Sequence, residues 1–386
     1  MTTSSPAKSI STSEVRHRGA GRPGRSRLAV LNAASAGMLR LLPRIPDSVK
    51  KVLLGGRTIT VDGNTLDTTL QFMLTLQKSS GVSGLVASSD VGVARAQLRK
   101  LARVITAAIA VGVKDLTVSG AAGPLRARHY VPVNAIGTKP LRPLRPLLVF
   151  FHGGGFVVGD LETHDALCRL ICRDAEVHVL SIDYRLAPEH KAPAAVEDAY
   201  AAYRWAVDHA GELGADPARI AVGGDSAGGN LAAVVSMIAR DEGVRLPTLQ
   251  LLIYPVTNYF NGDTRSKTLF ADGYFLTKKD IDWFEAHYLG GAPIDSSDPR
   301  ISPLLADDLS GLPPALVLTA GFDPLRDEGT QYADAMAAAG VPVDHRQFGA
   351  LVHGFANFFP LGGGSASATA ELVSALRAQL NQPERA

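Results

Sequence analysis

Cysteine is scarce in this chain: Cys168 and Cys172 are the only two among 386 residues. They stand four apart in a stretch that reads as helix, which puts both on one face. The spacing is not the CxxC of a redox pair, and no further Cys or His cluster supports a metal site. Two small buried hydrophobes is the expected reading, and a reducing compartment fits it. An excess of charge of one sign is missing as well, with 39 Lys and Arg against 37 Asp and Glu. A formal net charge of +2 gives no electrostatic case for nucleic acid or an acidic partner, which turns attention to small-molecule chemistry. No internal repeat occurs. The apolar stretch Leu28–Leu42 is interrupted by Asn32, Ser35 and Arg40 and is too short to span a bilayer. What is present is ordinary globular material, 46% apolar and 20% charged, enough for one large domain plus an accessory segment.

The first thirty residues depart from that composition. Lys8, Arg16, Arg18, Arg22, Arg25 and Arg27 face a single acid, Glu14, among Ser, Thr, Gly and Pro. Such a segment buries too little apolar surface to order itself, so residues 1–30 are expected to be a disordered basic tail. With Leu28–Leu42 it only faintly imitates a secretory signal. The chain is therefore expected in the cytoplasm, with export or peripheral membrane attachment as the alternative. Leu28–Leu42 reads better as an amphipathic segment that closes over a site or touches a membrane surface. Residues 31–110 read as a helical cap region, with Leu70, Met73, Leu74 and Leu76 at roughly helical spacing.

The remainder, 111–386, reads as the main domain. Lys114–Ser119 and Arg126–Val131 form two antiparallel strands around a Gly120–Gly123 turn, and Lys139–Pro146 is a proline-rich spacer. Five short apolar runs then follow: Leu147–Phe151, Val177–Ile182, Arg219–Val222, Leu249–Tyr254 and Ala315–Ala320. Helical periods Thr163–Asp174, Pro193–Ala210 and Leu231–Arg240 separate them. Near-continuous apolar strands alternating with helices imply an α/β protein whose parallel sheet is covered on both faces. The interval 255–300, with a helix at Lys278–Leu289, is expected to add a further cap segment. In an open sheet of this kind ligands bind beyond the carboxyl ends of the strands.

Two strand ends carry the signals. After Leu147–Phe151 comes His152-Gly153-Gly154-Gly155-Phe156. A dinucleotide fingerprint would need glycine where Val158 stands, and no Walker-type lysine follows. After Arg219–Val222 comes Gly224-Asp225-Ser226-Ala227-Gly228, running straight into a helix. Flanking glycines allow a sharp strand-to-helix turn that exposes the serine, with the helix N-terminus behind it. A serine hydroxyl needs a base, and in this topology the order is serine, acid, histidine. Of His287, His345 and His353, the first falls in a helix and the second inside the last strand, Val341–Phe348. His353 sits in the loop beyond. Asp323 directly follows the strand Ala315–Ala320, whereas Asp327 and Glu328 occupy the first turn of the next helix, where carboxylates offset the macrodipole. Ser226, Asp323 and His353 are thus the candidate catalytic residues. The amides of Gly154, Gly155 and Ala227 are candidate oxyanion donors, with His152 and Gly153 in support.

These motifs resemble the hormone-sensitive-lipase-like carboxylesterases, a branch of the α/β hydrolases. The resemblance is carried by His152–Gly155, Tyr184–Glu189, Gly224–Asn230, Asp323–Glu328 and His353–Phe355, in order from about residue 147 to the C-terminus. The chain as a whole is similar to actinobacterial lipases and esterases of that family. The resemblance implies an α/β-hydrolase fold with an eight-stranded, mostly parallel sheet and a helical cap. It implies hydrolysis of short- to medium-chain acyl esters without a cofactor. It assigns Gly154 and Gly155 to the oxyanion hole, His152 to bracing that loop, and Tyr184–His190 to the same task. Three alternatives stay open: a membrane-associated lipase on longer chains, an amide or lactone hydrolase, and a binding protein on the same fold. The expected partner is a small acyl ester, with membrane contact through the N-terminal segment and a homodimer left open. Phe156, Tyr259, Phe275 and Phe355 are the side chains expected to set pocket depth.

Overall fold

The computed structural model describes Met1 and residues 37–133, 144–258 and 262–380. The basic tail beyond Met1, most of Leu28–Leu42, most of the Lys139–Pro146 spacer, and Tyr259 lie outside the described residues.

Eight strands form one sheet: β3 (Gly112–Gly120), β4 (Gly123–Val131), β5 (Arg145–Phe151), β6 (His178–Ile182), β7 (Ala215–Asp225), β8 (Gln250–Ile253), β9 (Ala315–Phe322) and β10 (Val343–Val352). Their spatial order is β10-β9-β8-β7-β5-β6-β4-β3. Only β4 runs against its neighbours. The apolar runs read as buried strands are buried throughout, because helices cover both faces. Leu147, Val149 and Phe151 pack with the helices Ala194–His209 and Ala227–Asp241, while Leu148 and Phe150 pack with Asp165–Ala175 and Gly363–Leu380. Cys168 and Cys172 belong to the second layer, both free and buried. Burial pushes the Cys172 thiol up to about 12, so it behaves as a small hydrophobe.

Two registers place the chemistry. From β5 the chain steps to β6 on one side and then returns to β7 on the other, so the direction of winding reverses between β5 and β7. That reversal opens a crevice at the carboxyl ends. Phe151 pairs with Gly224 there, so the two glycine loops leave the sheet at one level. At the far side Val352 pairs with Phe322, which brings out His353 and Asp323 side by side. The last strand thus runs four residues beyond the expected Phe348, through an irregularity between Phe348 and Val352.

The region expected to be helical between 31 and 110 contains the helices Asp47–Leu53, Thr68–Ser79 and Val91–Val104. It also contains a two-stranded ribbon, β1 (Thr60–Val61) and β2 (Asn64–Thr65), which helical periodicity did not anticipate. Its turn is Asp62-Gly63, both at positive φ, a pairing that favours a tight hairpin. Asp67 then caps the next helix through Leu70 N and also accepts Gly364 N. Leu70 and Met73 are buried on that helix as the stripe implied, joined by Phe72. The segment after β8 supplies the helices Arg265–Leu269 and Lys278–Tyr288. Thr277 and Asp280 form a capping box at the second of these, and the buried Asp280 carboxylate also accepts Leu85 N and Val86 N at 3.0 and 2.9 Å. One carboxylate therefore ties the N-terminal covering segment to the later one. No helix of the described residues is long and apolar enough to cross a membrane.

Candidate active site

Ser226 stands at the junction of β7 and the helix Ala227–Asp241 with φ 56° and ψ −117°, a conformation that L-residues avoid. Its amide donates to Ile253 O at 2.8 Å, which fixes the turn against β8. Crowding explains the flanking glycines. A Cβ on Gly228 would lie 1.8 Å from Phe151 O, and one on Gly224 would lie 2.3 Å from the same oxygen. Any side chain at either position would push β5 away from the elbow.

The three residues singled out from three separate loops meet here. Ser226 Oγ lies 3.0 Å from His353 Nε2, and His353 Nδ1 lies 2.8 Å from Asp323 Oδ2. The other Asp323 oxygen accepts Leu325 N at 2.9 Å, which anchors the carboxylate beside the ring. All three side chains are buried, Ser226 the least so at 8% exposure. Ser226 and His353 line a cavity of about 260 Å³, together with Gly153 and Gly154. The rejected candidates lie elsewhere. His287 bonds Trp283 O in its helix, and His345 Nε2 lies 3.0 Å from Thr319 Oγ1 in the sheet. Asp327 pairs with Arg326 and accepts Ser266 N. Glu328 is fully buried, where it accepts Thr257 N and Asn258 N and lies 3.0 Å from Lys267 Nζ. Its work is to pin the start of the covering segment after β8.

The glycine loop is held from behind. Gly153 N donates to Asp225 Oδ1 at 2.9 Å, so the residue before the serine anchors the loop opposite it. His164 Nε2 lies 3.1 Å from the same carboxylate, and Asn357 Nδ2 donates to it at 3.0 Å. Burial alone would raise the Asp225 carboxyl, but the field and hydrogen bond of His164 and the Gly153 amide outweigh it and hold the group below its ordinary value. The His152 imidazole is stacked on Tyr184 at 4.3 Å, and Tyr184 Oη donates to His152 O at 2.7 Å. Burial and the neighbouring His164 push His152 down to about 4, so it stands neutral in the loop. The amides of Gly154 and Gly155 have no acceptor among the described residues. Ala227 opens its helix, where an amide has no intrahelical acceptor. Gly155 packs so closely that a Cβ would lie 2.3 Å from Phe284 Cγ.

Several of these contacts carry no motif. Asp225 was visible inside the pentapeptide but had no assigned task; His164 and Asn357 gave no signal at all, and Thr277-x-x-Asp280 signals a helix cap but not the contacts to Leu85 and Val86. Arg95 is the strongest omission. Its guanidinium donates to Val157 O at 2.8 Å and Ala187 O at 2.9 Å and forks onto Glu189 at 2.8 Å. It thereby clamps the glycine loop to the Tyr184–His190 segment. Arg99, one turn on, pairs with Asp160 at the end of that loop. Arg95→Ala should lower kcat by about tenfold or more with a smaller change in KM, because a misplaced loop weakens transition-state contacts first. Steady-state kinetics on a short ester decide this, and an equal loss of activity in Glu189→Gln would assign the effect to the ion pair alone. Of the four side chains expected to set pocket depth, only Phe275 lines the cavity among the described residues. Phe156 turns instead onto Tyr288 at 4.1 Å, and Phe355 packs edge-on against Tyr254 at 5.2 Å.

A doubly covered sheet whose central elbow presents a serine to a histidine and a carboxylate defines an α/β hydrolase. A family model described as alpha/beta hydrolase fold matches residues 148–357. The chain is 56% identical over 350 residues to the carboxylic ester hydrolase LipN of Mycobacterium tuberculosis, covering 89% of this chain and 91% of that one. It is 42% identical over 299 residues to carboxylesterase NlhH of the same species, covering 76% and 91%. Among solved structures, the ester-hydrolase EH1AB1 from the metagenome of Lake Arreo superposes with a TM-score of 0.76 at 40% identity, covering 82% of this chain and 100% of that one. The chain belongs to the α/β-hydrolase family, in its hormone-sensitive-lipase-like carboxylesterase branch, and is a carboxylic ester hydrolase.

Proposed function

We propose that the protein hydrolyses short- to medium-chain acyl esters through an acyl-enzyme on Ser226. His353 Nε2 takes the Ser226 proton as Oγ attacks the ester carbonyl, and Asp323 stabilises the imidazolium through Nδ1. The carbonyl oxygen, now an oxyanion, is received by the amides of Gly154, Gly155 and Ala227. A donor of this kind is worth on the order of a hundred- to a thousand-fold in rate. The His353 proton passes to the alcohol oxygen as the ester C–O bond breaks, leaving the acyl group on Ser226. Water then gives a proton to His353 and its oxygen to the acyl carbon, and the carboxylic acid leaves as Ser226 recovers its proton. The single observation that carries this reading is the run of bonds from Ser226 Oγ through His353 to Asp323, at 3.0 and 2.8 Å, beside a cavity. A structural relative is described in complex with a phosphonate, a class of compound that mimics the tetrahedral stage of acyl transfer.

The cavity favours short chains over lipid. Its volume of about 260 Å³ falls just below the roughly 300–1,000 Å³ common for ligand pockets. Across p-nitrophenyl esters from acetate to palmitate, kcat/KM should peak between butyrate and octanoate. A peak at palmitate would favour the lipase reading, and no turnover on any member would favour a binding protein.

A further inference from the structure

A second cavity adjoins the first. It holds about 230 Å³ and is walled by Met73, Leu76, Val82 and Val104, from the helices Thr68–Ser79 and Val91–Val104 and the chain between them. Four side chains line both spaces: Leu85, Leu98, Leu101 and Phe275. The two cavities are thus separated by a single layer of apolar side chains, with no charged group in the shared wall.

Phe275 differs from the three leucines. It sits at φ 73°, where a bulky residue is an outlier. Leu276 N donates to Tyr274 O at 3.0 Å and closes a strained three-residue γ-turn on it. Its ring packs edge-on against Phe358 at 4.8 Å, and a Cβ on Gly354, next to His353, would lie 3.2 Å from Phe275 Cε1. Strain of this sort survives only where the surroundings impose it, and it collects at ligand sites. A residue held against its preference, between two cavities and beside the catalytic loop, is placed to limit what passes from one to the other.

We propose that Phe275 is the partition that sets acyl-chain length in this protein, and that the cavity behind it is a chamber for the distal part of longer unbranched aliphatic chains. The inference rests on the ester reading of Ser226. Each methylene buried is worth about fourfold in binding, so opening the chamber to even two more carbons has a measurable consequence.

Phe275→Gly removes the ring and suits the positive φ, so it relieves the turn rather than straining it. The ratio of kcat/KM for p-nitrophenyl decanoate to that for the acetate should rise at least tenfold. Adding Met73→Trp, which puts a larger side chain at a buried position of the second cavity's wall, should return the ratio towards the wild-type value. An unchanged ratio in the glycine variant, or a gain that survives filling, would overturn the proposal. If the glycine variant does not fold, Phe275→Leu decides by the same ratio, with a smaller expected gain. Ser226→Ala in the Phe275→Gly background separates the two claims: turnover of both esters there would defeat the serine reading whatever the ratio.

Discussion

With alanine in place of Ser226, turnover of p-nitrophenyl butyrate should fall on the order of 10⁴- to 10⁶-fold, as when the nucleophile is removed from other serine hydrolases. With glycine there it should fall as far, yet the protein should be more stable than the alanine variant. Both substitutions delete the hydroxyl and its 3.0 Å contact with His353, so that loss cancels in the comparison. What differs is the backbone. At φ 56° and ψ −117° a residue with a Cβ carries strain of about 1–3 kcal/mol, whereas glycine accepts the conformation freely. Glycine gives back roughly 0.4–1 kcal/mol through the greater freedom of its unfolded chain. The net gain over alanine is roughly 1 kcal/mol, readable as a higher urea midpoint at unchanged slope. Residual activity in both variants near the wild-type level would remove Ser226 from the reaction. A glycine variant less stable than the alanine variant by roughly 0.4–1 kcal/mol would mean that the elbow stores no strain, and the turn would then owe its shape to the close approach at Gly224 and Gly228 alone.

Most of the sheet was legible because its strands are buried on both faces, and burial on both faces forces unbroken apolar runs such as Leu147–Phe151 and Ala315–Ala320. The three candidate catalytic residues were legible for a related reason. Each follows a recognisable strand, and strand ends are where this architecture exposes side chains. The ribbon at Thr60–Thr65 was missed because two-residue strands fall below any window in which alternation can be counted, although Asp62-Gly63 was a usable turn signal. Arg95, His164, Asp280 and Asn357 were missed because these partners lie 61 to 195 residues away and are mostly backbone atoms or one carboxylate. A backbone acceptor leaves no trace in residue type. Of the side chains expected to set pocket depth, Phe275 lines the cavity, whereas Phe156, at positive φ, turns onto Tyr288, a backbone geometry that composition does not encode.

Acid should unfold this protein well before its carboxylates titrate. Three of the buried imidazoles, those of His129, His178 and His152, are held well below their ordinary range. His129 Nε2 and His178 Nδ1 stand 3.0 Å apart between β4 and β6, and His152 is packed against Tyr184. Burial, then the neighbouring His178 and Lys114, push His129 down to about 3; burial and Arg145 push His178 down to about 4; His152 also lies at about 4. In the unfolded chain each imidazole titrates near 6.5. Between about 6.5 and 4 the unfolded state therefore binds more protons than the folded one, so stability is fully present above about 6.5 and is lost as the pH falls through that window. The shift at His152 alone corresponds to roughly 3 kcal/mol, a large share of the 5–15 kcal/mol by which domains are usually stable. Urea midpoints at pH 7.5, 6.0 and 5.0 test this in a range where ordinary carboxylates stay ionised; burial holds Glu328 and Asp183 above their ordinary values, and those two act in the opposite direction. The paired substitution His129→Gln with His178→Asn should flatten the decline by about half or more, since it removes two of the three titrations. A wild-type midpoint unchanged between pH 7.5 and 5.0 would mean that these imidazoles take up their protons without unfolding, and the neutral state assigned to His152 in the glycine loop would fall with it.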